Sequence, residues 1–170
     1  MRQSRIVLRQ GKTQGFTLIE LVVVIILLGV LSAYAASRFL GPSSFAVVAT
    51  QSEVLASLRL TQNRAMQRTR YCNRWLLTSA AAMQVSPQVP QGNCVATFPS
   101  YPSDPSLVDA AANGVNLSLI GSGSSSFLDF DSLGRAAQCS HSGCVVKISS
   151  ISSNETRQVC VNTEGYIYAC

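Results

Sequence analysis

The chain has 170 residues, of which 12% are charged, a mean hydropathy of +0.25 and a formal charge of +5. That length holds one modest domain beside a membrane segment and excludes a multi-domain enzyme. Arg2, Arg5, Arg9 and Lys12 carry most of the charge; beyond them nine cations face eight acids, so a pI near 9.1 is no argument for nucleic acid.

Met1 to Gln14 is basic and polar, and the positive-inside rule keeps it cytoplasmic while the chain beyond the next segment is exported. From Phe16 to Ala36 the chain is apolar over about 21 residues, enough for a span of roughly 30 Å. Ser32-Ala33-Tyr34-Ala35-Ala36 offers a small-x-small site, which favours an ordinary secretory signal peptide. Two features oppose that reading. The run is longer than a signal's apolar core, and it contains Glu20, a carboxylate that is costly in lipid and asks for a partner.

Gly15-Phe16-Thr17-Leu18-Ile19-Glu20-Leu21-Val22-Val23-Val24-Ile25 resembles the class III leader and N-terminal segment of type IV prepilins and type II secretion pseudopilins. The shared pattern is a basic leader, Gly at the cleavage point, Phe next, Glu four residues later and then unbroken hydrophobics. The resemblance implies that prepilin peptidase cuts between Gly15 and Phe16 and methylates the new Phe16 amine, so that the apolar stretch is kept. It also implies partners: the peptidase, other major and minor pilins, and the inner membrane before assembly. Physically, cleavage creates a cationic amine near Glu20 in a low-dielectric layer, where opposite charges attract strongly. Residues four apart share a helix face, so the pair forms within one helix or between neighbouring subunits; only the second gives a rule for stacking.

Arg38 follows the apolar run as an interfacial residue, and Gly41-Pro42 predicts a kink or short break near Leu40 to Ser43. Ser44 to Arg70 has no Gly or Pro, and Val47, Val54, Leu55, Leu58, Ala65 and Met66 line one broad helical face. With both halves helical, the N-terminal helix spans about 55 residues, roughly 80 Å, so its first half must find lipid or other subunits. Arg64, Arg68, Arg70 and Arg74 form a candidate anion-binding set, because arginine suits planar recognition of phosphate. Against it stands a solvated face that complements the helix C-terminus, with no aromatic interleaving for base stacking; that reading is favoured and makes nucleic acid a minor alternative.

Arg74 to Thr78 and Cys94 to Phe98 read as strands, separated and followed by a proline-rich stretch from Pro87 to Pro105. Asn116 to Ile120 alternates as a strand, Gly121 to Ser126 is a turn, and Phe127 leads a strand that ends in a turn at Asp131 to Gly134. Val145 to Ser150, Arg157 to Asn162 and Gly165 to Ala169 are three short strands joined by hairpin turns. Leu58-Arg59, Asn63-Arg64-Ala65-Met66, Arg70-Tyr71-Cys72 and the Phe127 to Gly134 segment resemble the H-type minor pseudopilin and related minor pilins.

The six cysteines, Cys72, Cys94, Cys139, Cys144, Cys160 and Cys170, all lie beyond the apolar run, which suggests an oxidising compartment and disulfides. A turn at Gly165 brings Cys160 opposite Cys170; Cys139 and Cys144 flank a short loop; Cys72 and Cys94 remain by elimination. Six cysteines allow fifteen pairings, so spacing alone leaves the connectivity open. Cys139, His141 and Cys144 are also conceivable metal ligands, but a fourth is not evident. His141 is the sole histidine and no nucleophile motif accompanies it, so neither a catalytic residue nor a metal or cofactor is expected.

The expected architecture is α+β and pilin-like: a long N-terminal helix, membrane-embedded then amphipathic, packed on an antiparallel β-sheet. Its segments are a leader at 1–15, a hydrophobic assembly helix at 16–43, an amphipathic helix at 44–70 and a periplasmic, disulfide-stapled β domain at 71–170. Within the family the chain most resembles minor pilins of the mannose-sensitive haemagglutinin (MSHA) pilus. The resemblance implies a minor structural subunit acting in pilus assembly and surface adhesion, with a secretion pseudopilin or a DNA-uptake module as alternatives.

Overall fold

The computed structural model describes residues 16–39, 42–99, 103–139 and 142–170, and of 33–39 and 42–44 the backbone alone. The chain divides into two compact units, Met1–Leu40 and Gly41–Cys170. In the first, helix α1 runs Leu18–Phe39. In the second, helix α2 runs Pro42–Gln67, beginning on a proline whose fixed φ and missing N–H suit a first helical position. Of Leu40 to Ser43, where the sequence places a kink or short break, Leu40 and Gly41 lie outside the described residues, and Pro42 and Ser43 open α2.

The period of α2 decides what it buries. Val47, Thr50, Val54, Ser57, Leu58, Thr61 and Ala65 recur at helical spacing and all are buried. Met66 departs from the sequence reading: the Ala65 position takes the inward direction, and Met66, a further 100° round the helix, is 45% exposed. The polar residues on this face are satisfied. Trp75 Nε1 donates to Ser57 Oγ at 2.8 Å, Ser57 Oγ donates to the Ser106 carbonyl, and Thr61 Oγ1 donates to the Ser57 carbonyl at 3.0 Å.

Two antiparallel four-stranded sheets pack against α2, where the sequence suggested one. The first contains β1 (Arg74–Leu77), β2 (Ala81–Val85), β3 (Val108–Asp109) and β5 (Phe127–Asp129) in the order β3-β2-β1-β5. The second contains β4 (Val115–Ile120), β6 (Cys144–Ser150), β7 (Thr156–Val161) and β8 (Ile167–Ala169) in the order β4-β6-β7-β8. In the second sheet Val115, Leu117, Val146, Ile148, Val159, Val161 and Ile167 are buried in the main core, which α2 shares, and their neighbours alternate outward. In the first sheet Trp75, Leu77 and Ala82 join that core, while Leu76, Met83 and Val85 form a separate cluster under Phe98, Leu107 and Phe127.

Cys94 to Phe98 is not a strand. It leaves a 3-10 turn at Gln91–Asn93 and runs irregularly towards Pro99, and it packs Phe98 over the outer cluster instead of joining a ladder. Sheet one is therefore covered on both faces. The turns closing the two sheets meet beside α2: Gln62 Nε2 donates to the carbonyls of Gly134 and Gly165, each at 2.6 Å. Both glycines hold positive φ, and a Cβ on Gly165 would overlap the Gly134 carbonyl.

Candidate functional site

The start of α1 is built from three adjacent features. Thr17 precedes the first helical residue, and its Oγ1 accepts the Glu20 N–H at 3.3 Å while its carbonyl accepts the N–H groups of Glu20 (3.1 Å) and Leu21 (3.3 Å). Thr17-Leu18-Ile19-Glu20 thus has the spacing of a capping box, a polar closure that an apolar helix needs because its first N–H groups have no partner within the helix. Glu20 lies in the first turn, where a carboxylate favours the positive end of the helix dipole. Phe16, Glu20, Leu21, Val24 and Ile25 line one shallow groove, so Glu20 shares a face with Phe16. The role of Thr17 was readable from the T-x-x-E spacing, a signal that the carboxylate's own oddity obscures.

The described side chains of α1 that follow this start are exposed. Phe16 is 84% exposed, and the apolar side chains from Leu18 to Leu31 are all exposed. The Ser32 hydroxyl donates to the Leu28 carbonyl four residues back, so this polar group is satisfied within the helix. Among the described residues, no helix is long and apolar enough to cross a membrane; the described side chains of α1 stop at Ser32. Gly15 and the basic leader lie outside the described residues.

The four arginines singled out as an anion-binding set do not act together. Arg64 Nη1 binds Asp104 Oδ1 at 2.9 Å and Gln84 Oε1 at 2.6 Å. Arg74 clasps Asp129 with two bonds of 2.8 Å and lies 3.7 Å over the Phe127 ring. The Asp129 hydrogen bond outweighs burial and raises the Arg74 pKa above its ordinary value. Two of the four are thus neutralised by carboxylates. Arg68 and Arg70 remain exposed just past the end of α2. The partners Asp104 and Asp129 lie 40 and 55 residues away in sequence, and no local pattern announces them.

Disulfides join Cys72 to Cys94, Cys139 to Cys144 and Cys160 to Cys170, with Cα separations of 5.4, 5.0 and 5.9 Å. In the register of β7 and β8, Cys160 faces Tyr168 rather than Cys170. Cys170 lies two residues further along the same face, and the bridge runs diagonally. Cys139 and Cys144 bind each other, which removes both thiolates from the metal reading; His141 lies outside the described residues.

In the sequence, basic residues precede this capped apolar helix with an acid in its first turn. Residues 11–36 match the prokaryotic N-terminal methylation motif. The motif is the prepilin peptidase cleavage site, and it supports a type IV prepilin-like protein, that is, a pilin- or pseudopilin-type subunit that is anchored in a membrane before it is assembled. The matched residues take in the end of the leader and most of α1, not the β domain. No curated protein and no solved structure matches the chain.

Proposed function

We propose that the chain is a minor structural subunit of a type IV pilus of the MSHA type, with a role in assembly and surface adhesion rather than catalysis. Prepilin peptidase cuts between Gly15 and Phe16 and methylates the Phe16 amine. Before assembly the segment 16–43 holds the protein in the inner membrane by a single pass with residues 71–170 in the periplasm. The observation that carries this reading is Glu20 on the same face as Phe16, at the start of a helix whose apolar side chains from Leu18 to Leu31 are exposed. Once the chain is cut, the new amine supplies the cation that this buried-layer acid lacks, and removing one member of such a pair is the costly way to break it. Between subunits, the pair fixes axial register.

Glu20→Ala should leave the protein in the membrane fraction while lowering its incorporation into filaments by tenfold or so, read by immunoblot of sheared fibres against membranes. Unimpaired incorporation would count against the pairing role. Loss of protein export with intact surface fibres on deletion of the gene would assign the chain to a type II secretion system instead. The nucleic-acid alternative is weakened by the ion pairs of Arg64 and Arg74.

A further inference from the structure

Of the eight cations in Gly41–Cys170, Arg59, Arg64, Arg74 and Arg135 have an acceptor among the described residues, and Arg68, Arg70, Lys147 and Arg157 have none. Arg64, Arg74 and Arg135 pair with Asp104, Asp129 and Asp131, and Arg59 Nη2 donates to the Ile167 carbonyl at 2.9 Å. Arg68 and Arg70, two residues apart, have no side-chain partner among the described residues, and both are exposed. Helix dipoles favour cations at a C-terminus, but Arg64 already occupies the last turn of α2. Asn73 Nδ2 also reaches the Arg68 carbonyl, at 3.4 Å.

The backbone around these two arginines is held in an unusual form. Arg70 (φ 73°) and Ser86 (φ 52°) are the non-glycine residues with positive φ among those described. Ser86 opens a turn closed by the Val89 N–H at 3.0 Å, and that turn is fastened to residues 70–72: the Cys72 N–H donates to the Val89 carbonyl at 2.8 Å and the Gln91 N–H to the Arg70 carbonyl at 2.9 Å. The Cys72–Cys94 bridge locks the same corner. Strained backbone persists only where the surroundings over-determine it, so the corner is rigid before any ligand arrives.

Between the helix end and this turn lies a crevice lined by Arg68, Tyr71, Pro87 and Gln88. A guanidinium, a phenol and a primary amide are all hydrogen-bond donors, and an ionised carboxylate is an acceptor through both oxygens. We propose that this crevice binds a side-chain carboxylate from an acidic peptide segment of a partner protein, with Arg68 as the principal contact and Arg70 attracting the flanking acids. Nucleic acid fits less well: its affinity grows with the number of phosphates neutralised and of bases stacked on aromatic rings, and this corner offers two unpaired cations and a single aromatic ring.

The test uses the full chain in detergent micelles and fluorescein-labelled hexaglutamate, followed by fluorescence anisotropy at low and physiological salt. Binding should weaken with salt, and Arg68→Gln with Arg70→Asn should lower affinity by roughly five- to tenfold, asparagine being chosen because it tolerates positive φ. Lys147→Gln with Arg157→Gln, an equal loss of charge elsewhere, should leave it unchanged. An equal effect of that control, absence of binding, or tighter arginine-dependent binding of a DNA hexamer would each overturn the proposal. If the first variant melts at a lower temperature, Arg68→Lys with Arg70→Lys decides: retained salt-dependent binding supports a charge-based contact, and its loss in a normally melting protein refutes it.

Discussion

Gln62 and the two glycines it touches hold a turn of each sheet together. One amide group satisfies the carbonyls of Gly134 and Gly165, so a single α2 side chain fastens a turn from each sheet. Gln62→Ala leaves both carbonyls without that donor and should cost about 1–3 kcal/mol. Gly165→Ala should cost more, roughly 2–4 kcal/mol, because the added Cβ meets the Gly134 carbonyl and the positive φ is strained for alanine. Urea unfolding followed by Trp75 fluorescence checks both, and equal stability of Gly165→Ala and the parent would refute the contact. Glycine at 134 and 165 was readable as turn chemistry, whereas the meeting of the two turns was not, since 31 residues separate them.

Among the elements, the segment around Asp104 shows how sequence-distant groups hold sheet one shut. Asp104 accepts the Ser106 N–H at 2.9 Å and binds Arg64 on α2, while Ser106 Oγ accepts the Gln84 N–H at 2.8 Å. Burial pushes the Asp104 carboxyl up, but hydrogen bonds from Ser106 and Arg64, with the Arg64 charge, outweigh it and leave the group below its ordinary value of 3.8. The unfolded chain then takes up the proton first. Stability from this group is full above that value and is lost as the pH falls through the lower folded one. Asp104→Asn should therefore destabilise at pH 7, and the difference should shrink as the pH falls below 3.8, measured by paired urea melts; a gap independent of pH would refute the linkage. Strands β6, β7 and β8 were legible because one face is wet and their side chains alternate. Strands β2 and β3 were not: β2 is buried on both faces, which erases the period, and β3 has two residues. Cys94 to Phe98 misled for a related reason, since its apolar residues serve as a cover rather than a strand.

For the molecule as a whole, the N-terminal segment was the part most open to sequence reading, because its motif is contiguous and its chemistry local. The β domain yielded its class but not its two-sheet layout, which depends on pairings between β1 and β5 some 50 residues apart. Disulfides contribute to its stability by an amount that grows with the logarithm of the loops they close. Chain separations of 22, 10 and 5 residues for Cys72–Cys94, Cys160–Cys170 and Cys139–Cys144 correspond to roughly 3.4, 2.7 and 2.1 kcal/mol in the loop-entropy treatment. Paired Cys→Ser variants should fall in that order by urea unfolding, and a greater loss from Cys139→Ser with Cys144→Ser than from the Cys72 and Cys94 pair would reverse it. The three bridges also share a property of order: each joins a cysteine to the next one along the chain, and no loop encloses another cysteine. A chain whose residues cross a membrane in sequence order, from Cys72 onward, presents its thiols two at a time in the native combinations. For such a chain, oxidation in order of arrival writes the correct connectivity without any later exchange of partners.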